Sequence, residues 1–143
     1  MPTETLRPNA AGDATNITDE IPDTSAHWSV VDEAAADDDT SYVSEQGITN
    51  TEDDYNLDAT ALITETVNSV DCIHRSKRTG TFFSVLSKGG VRLSATNSLG
   101  ASRTLTTSYQ NWEDAALARP GGGSWAVSDL NSLQCVLQMD AAG

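Results

Sequence analysis

"LQCVLQM" (residues 133–139) alternates strictly: Leu133, Cys135, Leu137 and Met139 fall on one side of an extended chain, with Gln134, Val136 and Gln138 on the other. A period of two marks a strand with one face on a core. "VDCIH" (70–74) behaves the same way, placing Val70, Cys72 and His74 together. Both of these faces are assigned to the core. Working outward, short β-prone runs recur between Gly, Asn, Asp and Ser clusters: "HWSVV" (27–31), "TSYVS" (40–44), "ALITETVNSVDCIHRSKR" (61–78), "TFFSVLS" (81–87), "GVRLSA" (90–95), "SRTLTT" (102–107) and "YQNWEDAAL" (109–117). Helical periodicity is scarce.

Towards the N-terminus, "TETLR" (3–7) reads as a first strand stopped by Pro8, and 8–26 as a long polar loop. Residues 45–58 read as an acidic connection. "RPGGGS" (119–124) is a loop, and "WAVSDLNSLQ" (125–134) holds one short helix, N-capped at Ser128 with Asp129 favouring its dipole. Eight or nine short strands without crossover helices predict an all-β fold, an antiparallel sandwich of about eight strands with one short helix near the C-terminus. No internal repeat is visible. One domain is expected, with residues 1–26 as an N-terminal strand and extended arm and 27–143 as the sandwich. The 8–26 loop exceeds the usual length of a β-connection, which predicts that the arm lies against another subunit.

A chain of 143 residues buries about two-thirds of its unfolded surface. The net charge of −13 argues against nucleic acid, which needs a cationic face. That charge is lopsided. Residues 1–58 hold 15 of the 21 acidic side chains against one basic one, Arg7, a balance of −14; residues 59–143 hold seven basic and six acidic, a balance of +1. Such an acidic portion is a solvated face, a surface shared with another protein, or an adaptation to strong salt, the last in keeping with only two Lys. No apolar run reaches the ~18–20 residues of a membrane span, and the start has no secretory signal pattern. Cys72 and Cys135 are too few for a disulfide scaffold; they are either one staple or two buried thiols in a shared core.

The order of runs resembles a known family. "LRPNAAGDATNI" leads to "HWSVVDEAAADDDTSYV", then "GTFFSVLSKGG" and "SLGASRTLTTSYQNW", and the close is "GGGSWAVSDLNSLQCVLQM". In this it is similar to the jelly-roll modules of virion structural proteins from tailed bacteriophages and archaeal tailed viruses, over Leu6 to Met139. "LTTSYQ" (105–110) with "SWAVSDLNSLQ" (124–134), and "HW..VDE" (27–33) with "TSYV" (40–43), are the most specific pieces. The resemblance implies a jelly-roll β-sandwich and a place on the virion surface, with residues 27–43 as second strand, turn and third strand. It brings no catalytic motif.

The residues themselves add few sites. Asp37, Asp38 and Asp39 are candidate cation ligands, but "DDDTSYVSEQGI" lacks the register of a calcium loop, and a solvated turn is the plainer reading. His27 and His74 are the only imidazoles; no nucleophile elbow, metal-spaced set or phosphate loop accompanies them. No enzymatic activity and no cofactor is expected. Trp112 in "YQNWED" is the aromatic expected to be exposed, and so the candidate for stacking on a sugar ring. Asn16 heads an N-glycosylation sequon, Asn16-Ile17-Thr18. The expected role is an accessory capsid decoration or turret subunit, or a tail accessory protein, with a halophilic host as one setting. Its expected partners are copies of itself and the major capsid or tail proteins, with no nucleic acid and no membrane. The alternatives are a module binding cell-surface glycans for host attachment, and a subunit of an extracellular filament.

Overall fold

The alternating segment forms a strand, β10 (Gln134–Ala141), in the interior of the largest sheet. The structure is a computed structural model, and it describes residues 3–23, 26–46, 50–80 and 84–141. β10 runs antiparallel to β4 (Thr51–Leu57) on one side and to β6 (Val85–Leu93) on the other. Cys135 stands opposite Tyr55 and Val91, and Leu137 opposite Asp53 and Gly89. β1 (Pro8–Thr15) extends the sheet beyond β4. β7 (Thr96–Leu99) and β8 (Arg103–Thr104) both pair with β6 at the far side.

Two smaller antiparallel pairs complete the set: β2 (Asp19–Ile21) with β3 (Tyr42–Ser44), and β5 (Cys72–Ser76) with β9 (Gln110–Asp114). The described residues thus form a mostly β, antiparallel fold with one short α-helix, α1 (Val127–Leu130).

The face of β10 predicted from alternation serves two apolar clusters. Leu133, just before the strand, packs with Cys72, Val91, Leu93, Leu117 and Leu130. Leu137 and Met139 pack against Ile17, Val30 and Val43. Each aliphatic side chain so buried contributes about 1.5–3 kcal/mol, which is why the strand settles here. Val136 points the other way yet is only 2% exposed, since it lies between Asp54 on β4 and Gly90 on β6.

Several elements depart from the sequence reading. "HWSVV" is not a strand: His27–Val30 winds into a 3₁₀ turn. One turn delivers Val30 to the core while His27 reaches across to Asp53. Residues 3–7 carry no strand. The first strand begins at Pro8, where sequence suggested a loop, and it belongs to the chain's own large sheet. The acidic stretch 45–58 contains β4, an interior strand. Of 61–78, only Cys72–Ser76 is strand. The runs 81–87 and 90–95 belong to one strand, β6, although residues 81–83 lie outside the described ones. Ten strands are described, rather than about eight.

α1 begins after Ala126, not Ser128. Asp129 explains the shift: its Oδ2 accepts the Ala126 N–H at 2.9 Å, and Arg119 grips both its oxygens at 2.8 and 3.0 Å. That pairing also holds the Asp129 carboxyl below its usual range. Trp125 Nε1 donates to the Leu117 carbonyl at 3.0 Å, tying the turn to the first cluster.

Candidate functional site

β4 places two adjacent carboxylates on opposite faces of the sheet, and both are fully buried. Asp53 faces the core and is fully satisfied. Its Oδ1 accepts the backbone N–H groups of Asn16 at 2.7 Å and Ile17 at 2.8 Å. Its Oδ2 takes the Tyr55 hydroxyl at 2.9 Å and stands 2.5 Å from His27 Nδ1. The other imidazole nitrogen, Nε2, is 3.3 Å from Glu20 on β2. A ring that donates from both nitrogens satisfies both carboxylates. This chain of contacts fastens β2, the 3₁₀ turn and the end of β1 to the middle of the sheet. Burial and the Asp53 charge push the Tyr55 phenol far above its ordinary value, so it stays a donor. Sequence reasoning noticed His27 but missed its partner.

Asp54 faces outward into a polar layer laid over the same sheet. Arg92 on β6 is the cation of this layer: its Nε lies 3.0 Å from Asp13 and 3.5 Å from Asp54, and its Nη1 donates to Asn97 at 2.8 Å. Asn97 passes a hydrogen bond to Glu52 at 2.9 Å, and Gln138 donates to the same Glu52 oxygen at 2.5 Å. Gln134 holds Asp13 twice, at 3.0 and 3.2 Å. These contacts hold the Asp13 carboxyl below its usual range. Asp54 itself is pushed up to about 6, first by burial and then by the neighbouring Glu52 charge.

The β5–β9 ribbon lies over β6 and carries a third polar group of residues. His74 Nε2 and Ser87 Oγ are 3.1 Å apart, and Ser76 Oγ is 3.3 Å from Ser87 Oγ. An imidazole against a hydroxyl is the contact of a base and a nucleophile, but Ser87 is 1% exposed and burial lowers the His74 ring below its ordinary value. Asp114, cross-strand from Cys72, is taken up by Arg103 at 2.7 Å and by the Ala101 N–H at 3.0 Å. Gly89 leaves room for this packing: a Cβ there would stand 2.5 Å from His74 Nδ1 and 3.0 Å from Cys72 Sγ.

Cys72 and Cys135 face this interior from the ribbon and from β10, and both are free thiols. Burial pushes Cys72 up to about 11 and Cys135 up to about 12, the latter also through the neighbouring Cys72. Thiolate is the reactive form. Both cysteines should therefore react with Ellman's reagent at pH 8 at least about 100-fold more slowly in the native protein than in denaturant. Complete native reaction within the mixing time would show that this interior opens freely.

The aspartate triplet is held rather than free. Asp38 takes Arg75 through two hydrogen bonds, at 2.5 and 2.9 Å, and Asp39 pairs with Lys77. Tyr109 donates to the Asp38 carbonyl at 3.0 Å, and both cations lie over its ring, Arg75 at 5.1 Å and Lys77 at 4.4 Å. Asp37 accepts the Ser41 N–H at 3.1 Å. The turn nonetheless stays in solvent, with the Asp38 side chain 42% and the Asp39 side chain 74% exposed, and these contacts only tie it to β5 and Tyr109. Trp112 is also differently placed. It is half-buried on the inward side of β9, opposite His74, with Arg103 over its ring at 5.7 Å. Asn16 is exposed where β1 ends, while its backbone N–H is committed to Asp53.

An open cleft of about 460 Å³ lies beside the Asp53 cluster, lined by Asp19, Glu20, Asp23, Tyr42 and Gln46 among others. Among the described residues, no three His, Cys, Asp or Glu side chains stand together as a metal site, and no helix is long and apolar enough to cross a membrane. The chain matches no family model, no curated protein and no solved structure.

Proposed function

We propose that this chain is a non-enzymatic structural protein of a tailed virus, an accessory jelly-roll subunit on the outside of the capsid or on the tail. The observation that carries the reading is where the resembling segments fall. "SWAVSDLNSLQ" runs through α1 into β10 and "LTTSYQ" leads into β9, so these two of the four stretches most similar to virion modules serve the interior strand and the ribbon over it, while "HW..VDE" falls on the 3₁₀ turn and "TSYV" on β3. An antiparallel sheet with a covering ribbon is compatible with a jelly roll. Virion accessory proteins act in many symmetric copies, so the chain should form a closed cyclic oligomer. Size-exclusion chromatography with light scattering tests this directly: a monomer persisting at about 100 μM, far above the Kd of a stable assembly, would count against the reading.

The cleft beside β2 and β3 favours one second reading, a glycan-binding module for host attachment. Carboxylates and an amide beside Tyr42 are groups that hydrogen-bond sugar hydroxyls and stack on their rings. Glycan-array binding that is lost in Tyr42→Ala and retained in Trp112→Ala would select this reading over the structural one.

A further inference from the structure

Among the described residues, Asp54 is the buried carboxyl with neither oxygen hydrogen-bonded. Glu52, two positions back, projects to the same side of β4, and its Oε2 already takes N–H donors from Asn97 and Gln138. A carboxylic acid at position 54 can donate an O–H to Glu52; a carboxylate cannot. The charged groups facing Asp54 are Asp13 from β1, Glu52 from β4 and Arg92 from β6. β7 contributes neutral Asn97, and β10 contributes Gln134 and Gln138.

We propose that Asp54 is a proton-operated latch on the edge strand β1, which is held against the sheet while Asp54 is protonated and loosened when it ionises. In the protonated site, Arg92 balances Asp13 with Glu52 nearby. Ionisation adds a third carboxylate to a single guanidinium. Asp54 and Glu52 are fixed in an interior strand, whereas Asp13 is 52% exposed and can turn out to water. Arg92 already stands between Asp13 and Asp54, so tightening its contact with the second weakens its contact with the first. β1 then keeps Gln134 as its remaining side-chain anchor at Asp13. Its pairing with β4 is already interrupted twice by register shifts, between Pro8 and Ala10 and between Ala11 and Thr15. The sign follows from the raised value. The stabilisation is fully present below the ordinary carboxyl value of 3.8 and is lost as pH rises through about 6. This is opposite to the usual acid lability of a paired carboxylate.

Hydrogen exchange of the intact chain, corrected for intrinsic rates, tests the latch. Amides of residues 9–15 should be about tenfold more protected at pH 5 than at pH 7.5, with β10 unchanged. Asp54→Asn, a neutral isostere, should abolish that difference. Glu52→Gln should retain it with a midpoint about one pH unit lower, since the charge that raises Asp54 is gone. His27→Gln, which alters the Asp53 cluster on the opposite face, should leave it intact. The latch is overturned if protection of 9–15 is flat from pH 5 to 7.5 in the native chain, or if the difference survives in Asp54→Asn. Should Asp54→Asn fail to fold, Glu52→Gln decides the matter, and an unmoved midpoint overturns the proposal.

Discussion

Asp53→Ala should lose about 3–5 kcal/mol of stability, a large share of the roughly 5–15 kcal/mol that separates a folded domain from its unfolded state. The mutation deletes the one acceptor shared by two backbone N–H groups, a phenol and an imidazole, the Ile17 and Tyr55 bonds buried and the other two partly so. Each donor left behind keeps its desolvation cost with nothing to offset it. The methyl of Ala fills little of the vacated space, so a cavity cost adds to the lost hydrogen bonds. Asp53→Asn is the informative companion. Its amide oxygen can still accept from Asn16 and Ile17, but the NH₂ must face the Tyr55 hydroxyl and the His27 ring, so an intermediate loss is expected. Urea unfolding at pH 7 measures both. A loss below about 1 kcal/mol in the alanine variant, the size of one ordinary hydrogen bond, would mean that the cluster contributes little.

Gly90→Val should cost about 3 kcal/mol and detach β7 from the sheet. A Cβ at this position would stand 2.5 Å from the Ser98 carbonyl oxygen and 2.9 Å from the Leu99 Cα. Both belong to the partner strand's backbone, so no side-chain rotation relieves the clash. Gly90 pairs with Leu99 on one side and Val136 on the other, and the displacement therefore acts on the middle of the sheet. Gly80→Ala provides the contrast: its φ of +82° strains a side chain, but among the described residues no atom lies within 4 Å of the new Cβ, and about 1 kcal/mol is expected. Urea midpoints give the energies, and hydrogen exchange at residues 96–99 shows whether β7 is the part that leaves. Equal losses in the two variants would contradict the close-approach argument.

The strands that announced themselves in the sequence are those whose alternate residues are apolar. β10 and the Cys72–His74 segment are readable because their inward positions carry Leu, Cys and Met, or Val and Cys. β4 was hidden by its chemistry. "TEDDYNL" has three acidic residues in a row, a composition that ordinarily stays in water. It becomes an interior strand because partners from distant parts of the chain take up the charges: His27, Tyr55 and two backbone amides for Asp53, and the Arg92 layer for Asp54. The signal available was the alternation of Thr51, Asp53, Tyr55 and Leu57 on one side, read together with a His elsewhere. β1 was hidden for a different reason. Pro, Ala, Gly and Asn have low strand propensity, and only a ready-made edge on β4 draws them into extended pairing. The partners of the aspartate triplet were hidden because Arg75, Lys77 and Tyr109 follow it by more than thirty residues.

The place of β10 has a consequence for how the chain reaches this state during synthesis. β4 and β6 never touch as neighbours; β10 fills the gap between them, and it comes after every other strand in the sequence. Until residues 133–141 have emerged from the ribosome, two long strands therefore present unpaired backbone facing each other across an empty slot, and both apolar clusters are missing members. Non-local closure of this kind is slow, and waiting strand edges invite pairing between nascent chains. The acidic residues clustered in the first 58 positions, already exposed at that stage, give neighbouring unfinished chains a reason to stay apart.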